Sequence, residues 1–126
     1  MPKPTEEIIE CACRLRTLGV KKDPEIGDWF IPEDPNDRWC CLVNNENDKH
    51  HISFLGHIII PPLEWCLEWL RDRGLESLTA FPGSNGEWIC KHHTGGYFSR
   101  RALVATTPHL AVLKAMLAVK ESDNES

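Results

Sequence analysis

The chain has 126 residues, of which 41% are hydrophobic and 26% charged, with a net charge of −5. This length suits one domain, residues 1–126, whose core needs neither disulfides nor metal. The negative charge argues against nucleic-acid binding, because phosphate contacts require a basic face. The longest apolar run, residues 58–63, is too short to span a bilayer, and the charged N-terminal segment has no signal-peptide core. We therefore expect a cytoplasmic protein without membrane contact, whose six cysteines are reduced.

The first predicted element is an amphipathic helix over residues 5–18. Thr5 is a suitable N-cap, and Glu6 and Glu7 stand in the first turn, where the helix dipole favours negative charge. Gly19 ends the pattern. The apolar residues at helical spacing are Ile8, Cys11 or Ala12, Leu15 and Leu18.

Three short strands rich in aromatic and β-branched residues are predicted next. They cover residues 29–31, 39–43 and 52–60, and Gly56 bends the last of them. Residues 44–49 form a polar loop between the second and third strands.

A second helix is predicted over residues 62–73, with Pro62 in its first turn and Gly74 after its end. Trp65 and Trp69 lie roughly opposite a second apolar stripe. A helix on one small core needs one apolar face, so another surface must cover the tryptophans. The stripe consists of Leu63, Cys66, Leu67 and Leu70.

Turn residues between two β-prone runs, residues 77–81 and 87–91, predict a hairpin. One more strand is expected from residues 97–98 and 103–105. The last helix covers residues 108–120, and a polar, frayed tail of residues 121–126 follows it. Its N-terminus is predicted from Thr107 as N-cap and Pro108 as first residue, and its two apolar stripes contain Leu110, Leu113 and Leu117, and Val112, Met116 and Val119.

The element order predicts an α+β fold. We expect an antiparallel or mixed sheet of about four to six short strands, packed with three helices at about residues 5–18, 62–73 and 108–120. Since two of these helices are apolar on both sides, they either cover each other or are covered by a second subunit. The second alternative favours a homodimer, with Trp65, Trp69 and Met116 at the interface.

Six cysteines and six histidines raise the alternative of a zinc site or a thiol-dependent enzyme. No pair has the usual spacing of structural zinc ligands. The best candidates are Cys90 and His92, two residues apart on a predicted strand, together with His50 or His51 from a neighbouring segment. The competing interpretation treats the cysteines as small core residues, and we accordingly expect no cofactor.

Several short motifs lie along the chain in a recognisable layout. They are Gly27-Asp28-Trp29-Phe30, the Leu/Trp helix between Pro62 and Gly74, Trp88, and Thr107-Pro108 with Ala111 and Ala115. This layout resembles a loose class of short, uncharacterised bacterial proteins that are often encoded in phages and prophages. The resemblance implies no activity and no site residues.

These patterns lead to three hypotheses. The first is a non-enzymatic, cytoplasmic interaction or accessory protein, homodimeric and of prophage origin. The second is the small metal- or thiol-dependent enzyme, and the third is a small-ligand binder with an aromatic-lined pocket. A further protein partner is compatible with the first hypothesis.

Overall fold

The structure is a computed structural model, which describes residues 4–31, 40–55, 57–73, 75–80, 86–93 and 100–124. The α+β class is confirmed. The described residues form four helices and two three-stranded antiparallel sheets, instead of the three helices and one sheet that were predicted. They divide into two compact units, residues 1–61 and 62–126. That the whole chain is one domain stays a prediction.

Unit 1 begins with helix α1, Glu6–Thr17, and confirms the prediction for this segment. The Thr5 hydroxyl accepts a hydrogen bond from the Ile8 N–H at 3.3 Å, which caps the helix N-terminus. At the other end Gly19 has a φ of +96°. The Gly19 N–H bonds to the Arg16 carbonyl and the Val20 N–H to the Leu15 carbonyl, the Schellman pattern that turns the chain away from the helix.

A small sheet of very short strands completes the framework of unit 1. It contains β1, Trp29–Ile31, β2, Cys41–Leu42, and β3, Ile58–Ile60, in the order β2-β1-β3. Helix α1 packs on β3. Among the residues that the structure describes, the buried apolar side chains of the unit include Ile8, Ile9, Ala12, Leu15, Ile31, Val43, Ile52, Ile59 and Ile60.

The second helix of unit 1 corrects the sequence prediction. Residues 44–49 and 52–55 were expected as a loop and a strand, but α2 spans Glu46–Leu55. The Asn45 side chain accepts from the Asp48 N–H at 2.9 Å, and the Asp48 carboxylate accepts from the Asn44 N–H at 3.1 Å. These reciprocal bonds resemble a capping box and stabilise a helix start within a run that looked like a polar loop. The predicted bend at Gly56 lies outside the described residues.

A buried ion pair fixes the loop between α1 and β1. Asp28 is only 7% exposed, and its Oδ2 accepts from Lys22 Nζ at 2.6 Å and from the Glu25 N–H at 3.0 Å. Gly27, with a φ of +97°, donates its N–H to the carbonyl of Val43. The loop is therefore anchored both to itself and to the segment that follows β2.

Unit 2 consists of two helices and the second sheet. Helix α3 spans Leu63–Arg71, and helix α4 spans Pro108–Asn124. The strands are β4, Leu75–Ala80, β5, Trp88–His93, and β6, Arg100–Ala105, in the order β4-β5-β6. Helix α4 packs on all three strands and on α3.

The sequence located these elements of unit 2 closely. Pro62 is the N-cap of α3 and not part of its first turn, while Gly74 lies outside the described residues. The Thr107 hydroxyl accepts from the Leu110 N–H at 3.1 Å and caps α4 as predicted. Helix α4 continues to Asn124, through most of the segment that was expected to fray.

The ion pair of Lys22 and Asp28 gives a prediction on stability. Lys22→Ala leaves the Asp28 carboxylate buried without its countercharge, so we expect the free energy of unfolding to fall by about 3 kcal/mol. Urea denaturation measures this change in the free energy of unfolding. The matched control is Lys21→Ala at the exposed neighbouring position, for which we expect a change within about 0.5 kcal/mol. Equal losses in the two variants would contradict a structural role for the pair.

Candidate functional site

The tryptophans of α3 lie at the edge of its buried face. Cys66 and Leu70 are fully buried, whereas Trp65 and Trp69 are half-buried. The Arg73 guanidinium lies over the Trp69 ring, 4.1 Å from its centroid, and donates to the Trp69 carbonyl at 2.9 Å. This cation–π contact holds an exposed positive charge beside a partly exposed aromatic surface.

The two apolar stripes of α4 are both buried. Leu113, Val112 and Met116 are 0% exposed, although Leu113 belongs to one stripe and the other two to the second. The strands of the second sheet and helix α3 pack against α4 and explain much of this burial. The same chain therefore covers the surplus apolar surface of α4. The burial of Met116 counts against its predicted place at an interface, because a side chain without exposed surface offers none to a partner.

The buried thiols are poorly suited to nucleophilic or metal chemistry. Cys66 and Cys90 are both 0% exposed. Burial raises the pKa of Cys66, with a further increase from the Glu64 carboxylate, and burial raises the pKa of Cys90 to about 11. A thiol acts as nucleophile or ligand in its thiolate form, which these environments disfavour. Both fit the alternative interpretation as small core residues.

The predicted metal ligands fall in different parts of the chain. Cys90 and His92 lie on β5 of unit 2, whereas His50 is exposed on α2 of unit 1. The side chain of His92 lies outside the described residues. Within the part of the chain that the structure describes, no three His, Cys, Asp or Glu side chains are grouped so that they could hold a metal ion.

A cavity of about 200 Å³ lies in unit 1. Two regions of the chain form it. The end of α1 and the loop after it provide a mostly basic wall, and the segments around α2 and β3 provide an apolar floor with one histidine. The lining residues are Arg16, Val20, Lys21, Lys22, Asp23, Pro24, Ile52, His57 and Ile59.

His57 connects the cavity to the core of unit 1. Its ring stacks on Phe30, with 5.5 Å between the ring centroids and 24° between the planes. Phe30 packs in turn against the buried cluster of Val43, Ile52 and Ile59. The His57 Nδ1 is buried and has no hydrogen-bond partner among the described residues.

Sequence reasoning did not find this cavity. Lys21 and Lys22 were visible as a basic pair, and Arg16 as a polar residue of the first helix. His57 was read as part of a strand. The cavity depends on the chain reversal at Gly19, after which the loop lines it together with Ile52, His57 and Ile59, and no local spacing indicates that contact.

Comparisons with protein-family models, curated proteins and solved structures gave no match for this chain. In the described part of the structure, no helix is long and apolar enough to cross a membrane.

Met116 provides a test that separates a core role from an interface role. Because its side chain is fully buried, Met116→Ala should lower the free energy of unfolding by about 2–5 kcal/mol. Met116→Leu, which nearly conserves volume, should cost less than about 1.5 kcal/mol. Both values come from urea denaturation. A small loss in Met116→Ala, combined with weaker self-association, would instead place Met116 at an interface.

The Cys90 thiol predicts a pH dependence of stability. Burial raises the pKa of this thiol from its ordinary value of 9.0 to about 11 in the folded protein, so the unfolded chain loses this proton at lower pH. The stabilising contribution is complete below pH 9 and is lost as pH rises toward about 11. The unfolding free energy should fall there with an extra slope of up to about 1.4 kcal/mol per pH unit.

Denaturation of Cys90→Ala across this pH range should lack the extra slope. The control is Val112→Ala, another truncation in the core of unit 2, which removes no titrating group. It should lower stability at every pH and keep the wild-type slope. A Cys90→Ala variant with the wild-type slope would refute the raised pKa.

Proposed function

We propose that the protein is a non-enzymatic, cytoplasmic interaction protein that forms a homodimer through the outer surface of α3. This surface is defined here by Trp65, Trp69 and Arg73. The observation that carries the proposal is the unequal burial of α3, whose Cys66 and Leu70 are fully buried while both tryptophans remain partly accessible.

The composition of the α3 surface supports an association site. Tryptophan and arginine are the residues most enriched among those that dominate binding energy at protein interfaces. Two tryptophans one helical turn apart form a continuous aromatic strip, and Arg73 extends it by lying on Trp69. The exposed carboxylates of Glu64 and Glu68 border it, which matches the polar rim of a typical interface.

A second copy of the chain is the partner we propose, since two-fold homodimers are the commonest soluble oligomers. The resemblance to short proteins encoded by prophages favours an accessory role over catalysis. The buried thiols of Cys66 and Cys90, with their raised pKa values, also weaken the alternative of a thiol-dependent enzyme.

Sedimentation velocity over a wide concentration range tests the proposal. We expect a concentration-dependent dimer in the wild type. An interface tryptophan contributes about 2 kcal/mol or more, so Trp69→Gln should raise the dimer Kd by at least about thirtyfold. Arg73→Glu, at an exposed position, should weaken the dimer with little effect on folding and serves if Trp69→Gln proves unstable.

The matched control is Ile89→Gln combined with Val104→Gln. These residues are register partners on β5 and β6, and both are partly exposed. The control should retain the wild-type Kd. A wild type that is monomeric at every concentration, or a control that dissociates while Trp69→Gln does not, would overturn the proposal.

A further inference from the structure

We propose that the cavity of unit 1 binds a small organic anion, with its carboxylate or phosphate head among Arg16, Lys21 and His57 and a short apolar body on Ile52 and Ile59. This inference concerns unit 1 alone and is independent of the dimer proposed through α3.

The charges at the cavity favour an anion. Three cationic side chains, Arg16, Lys21 and Lys22, line it together with one carboxylate, Asp23. Lys22 is neutralised by its ion pair with Asp28, but Arg16 and Lys21 have no ion-pair partner among the described residues. A positive excess in a concave site stands out on a chain of net charge −5. It attracts anions because concave walls concentrate the local potential.

The C-terminal end of α1 reduces the attraction of the cavity for anions only in part. A helix C-terminus carries roughly half a negative charge. Two of its carbonyls, those of Leu15 and Arg16, already accept hydrogen bonds from the loop. Arg16 and Lys21 carry two full positive charges, which outweigh the partial negative charge that remains, so the cavity keeps its preference for anions.

The loop backbone that carries Lys21 is held in place before any ligand arrives. Lys22 Nζ donates to Asp28 Oδ2 and also to the Asp23 carbonyl at 3.0 Å. The Asp28 carboxylate holds the Glu25 N–H as well. A preformed loop lowers the ordering cost of binding. The buried pair therefore acts as a scaffold for Lys21, its exposed neighbour.

The floor of the cavity determines the kind of anion. Ile52 and Ile59 belong to the core of the unit, and only small parts of their side chains, 3% and 8%, are exposed to line the cavity. Val20 and Pro24 add apolar surface on the loop side. At about 200 Å³ the cavity lies below the usual range for drug-sized ligands. It suits a small amphiphilic anion with a few carbons and one charged head.

His57 places an unsatisfied polar group at the same location. A buried polar atom without a partner is rare in folded proteins and requires an explanation. The Nδ1 is such an atom, and stacking on Phe30 fixes the ring that carries it. A ligand that adjusts the position of this ring would also change the environment of Nδ1, which provides a spectroscopic readout.

NMR titration of the full chain tests the proposal with three probes: butyrate, inorganic phosphate and n-butylamine. We expect butyrate to shift the His57 ring and the Ile52 and Ile59 methyl resonances in a saturable manner. Phosphate should shift His57 alone if the site accepts a phosphate head, and no response to phosphate would restrict the head to carboxylate. Butylamine, which has the same apolar body and the opposite charge, should have no effect.

The variant for this test is Arg16→Gln combined with Lys21→Gln, which leaves the Lys22–Asp28 pair intact. We expect its Kd for butyrate to rise by at least about tenfold, since each lost charge-assisted hydrogen bond is among the stronger ones. The control, Arg71→Gln with Lys91→Gln, changes net charge equally at exposed positions of unit 2 and should bind as the wild type does.

Three results would overturn the proposal. They are the absence of saturable shifts with both anions, equal shifts with butyrate and butylamine, and equal weakening in the variant and its control. Circular dichroism of both double variants confirms that they remain folded. A monomeric chain that still binds butyrate would refute the dimer and leave this proposal intact.

Discussion

Both units depend on the need of a small sheet for a helix across one face. Three strands of two to six residues cannot enclose a core alone. In unit 1, helix α1 packs on β3, and in unit 2, helix α4 packs on all three strands. The consequence is most visible in α4, where the four consecutive residues Leu110, Ala111, Val112 and Leu113 span most of the helix circumference and are all buried. A helix apolar on every side is stable in water only in such a position.

Because the apolar surface of α4 is buried, the helical apolar surface of unit 2 that stays partly accessible lies on α3. Its tryptophans stay partly accessible, as do Leu63 and Leu67, whereas Cys66 and Leu70 are fully buried. In unit 1 the departure from the usual pattern of burial involves charged side chains instead of apolar ones. Asp28 and Lys22 occupy buried positions, and their mutual neutralisation makes a tight loop compatible with burial. Each candidate binding surface thus lies in a unit that departs from the usual rule that apolar side chains are buried and charged side chains are exposed.

Local signals predicted most helix ends and several strands correctly. Thr5 and Thr107 cap helices because a hydroxyl accepts from the backbone three residues later, and both positions follow from sequence. The missed element, α2, also had a local signal in Asn45 and Asp48. It was overlooked because asparagine-rich runs are equally typical of loops. The prediction combined the strands of two sheets into one sheet, because strand order depends on pairing between segments that are distant in the sequence.

The sequence by itself determined the α+β class, the bounds of α1, the start of α4 and the surplus of apolar surface on two helices. These properties follow from interactions over three or four residues. Tertiary structure decided that the chain itself covers α4, that Cys66 and Cys90 are core thiols, and that Arg16, Lys21 and His57 line one cavity. The burial of a side chain and the assembly of a cavity depend on contacts between residues far apart in the chain. No periodicity in the sequence indicates which distant segment provides these contacts.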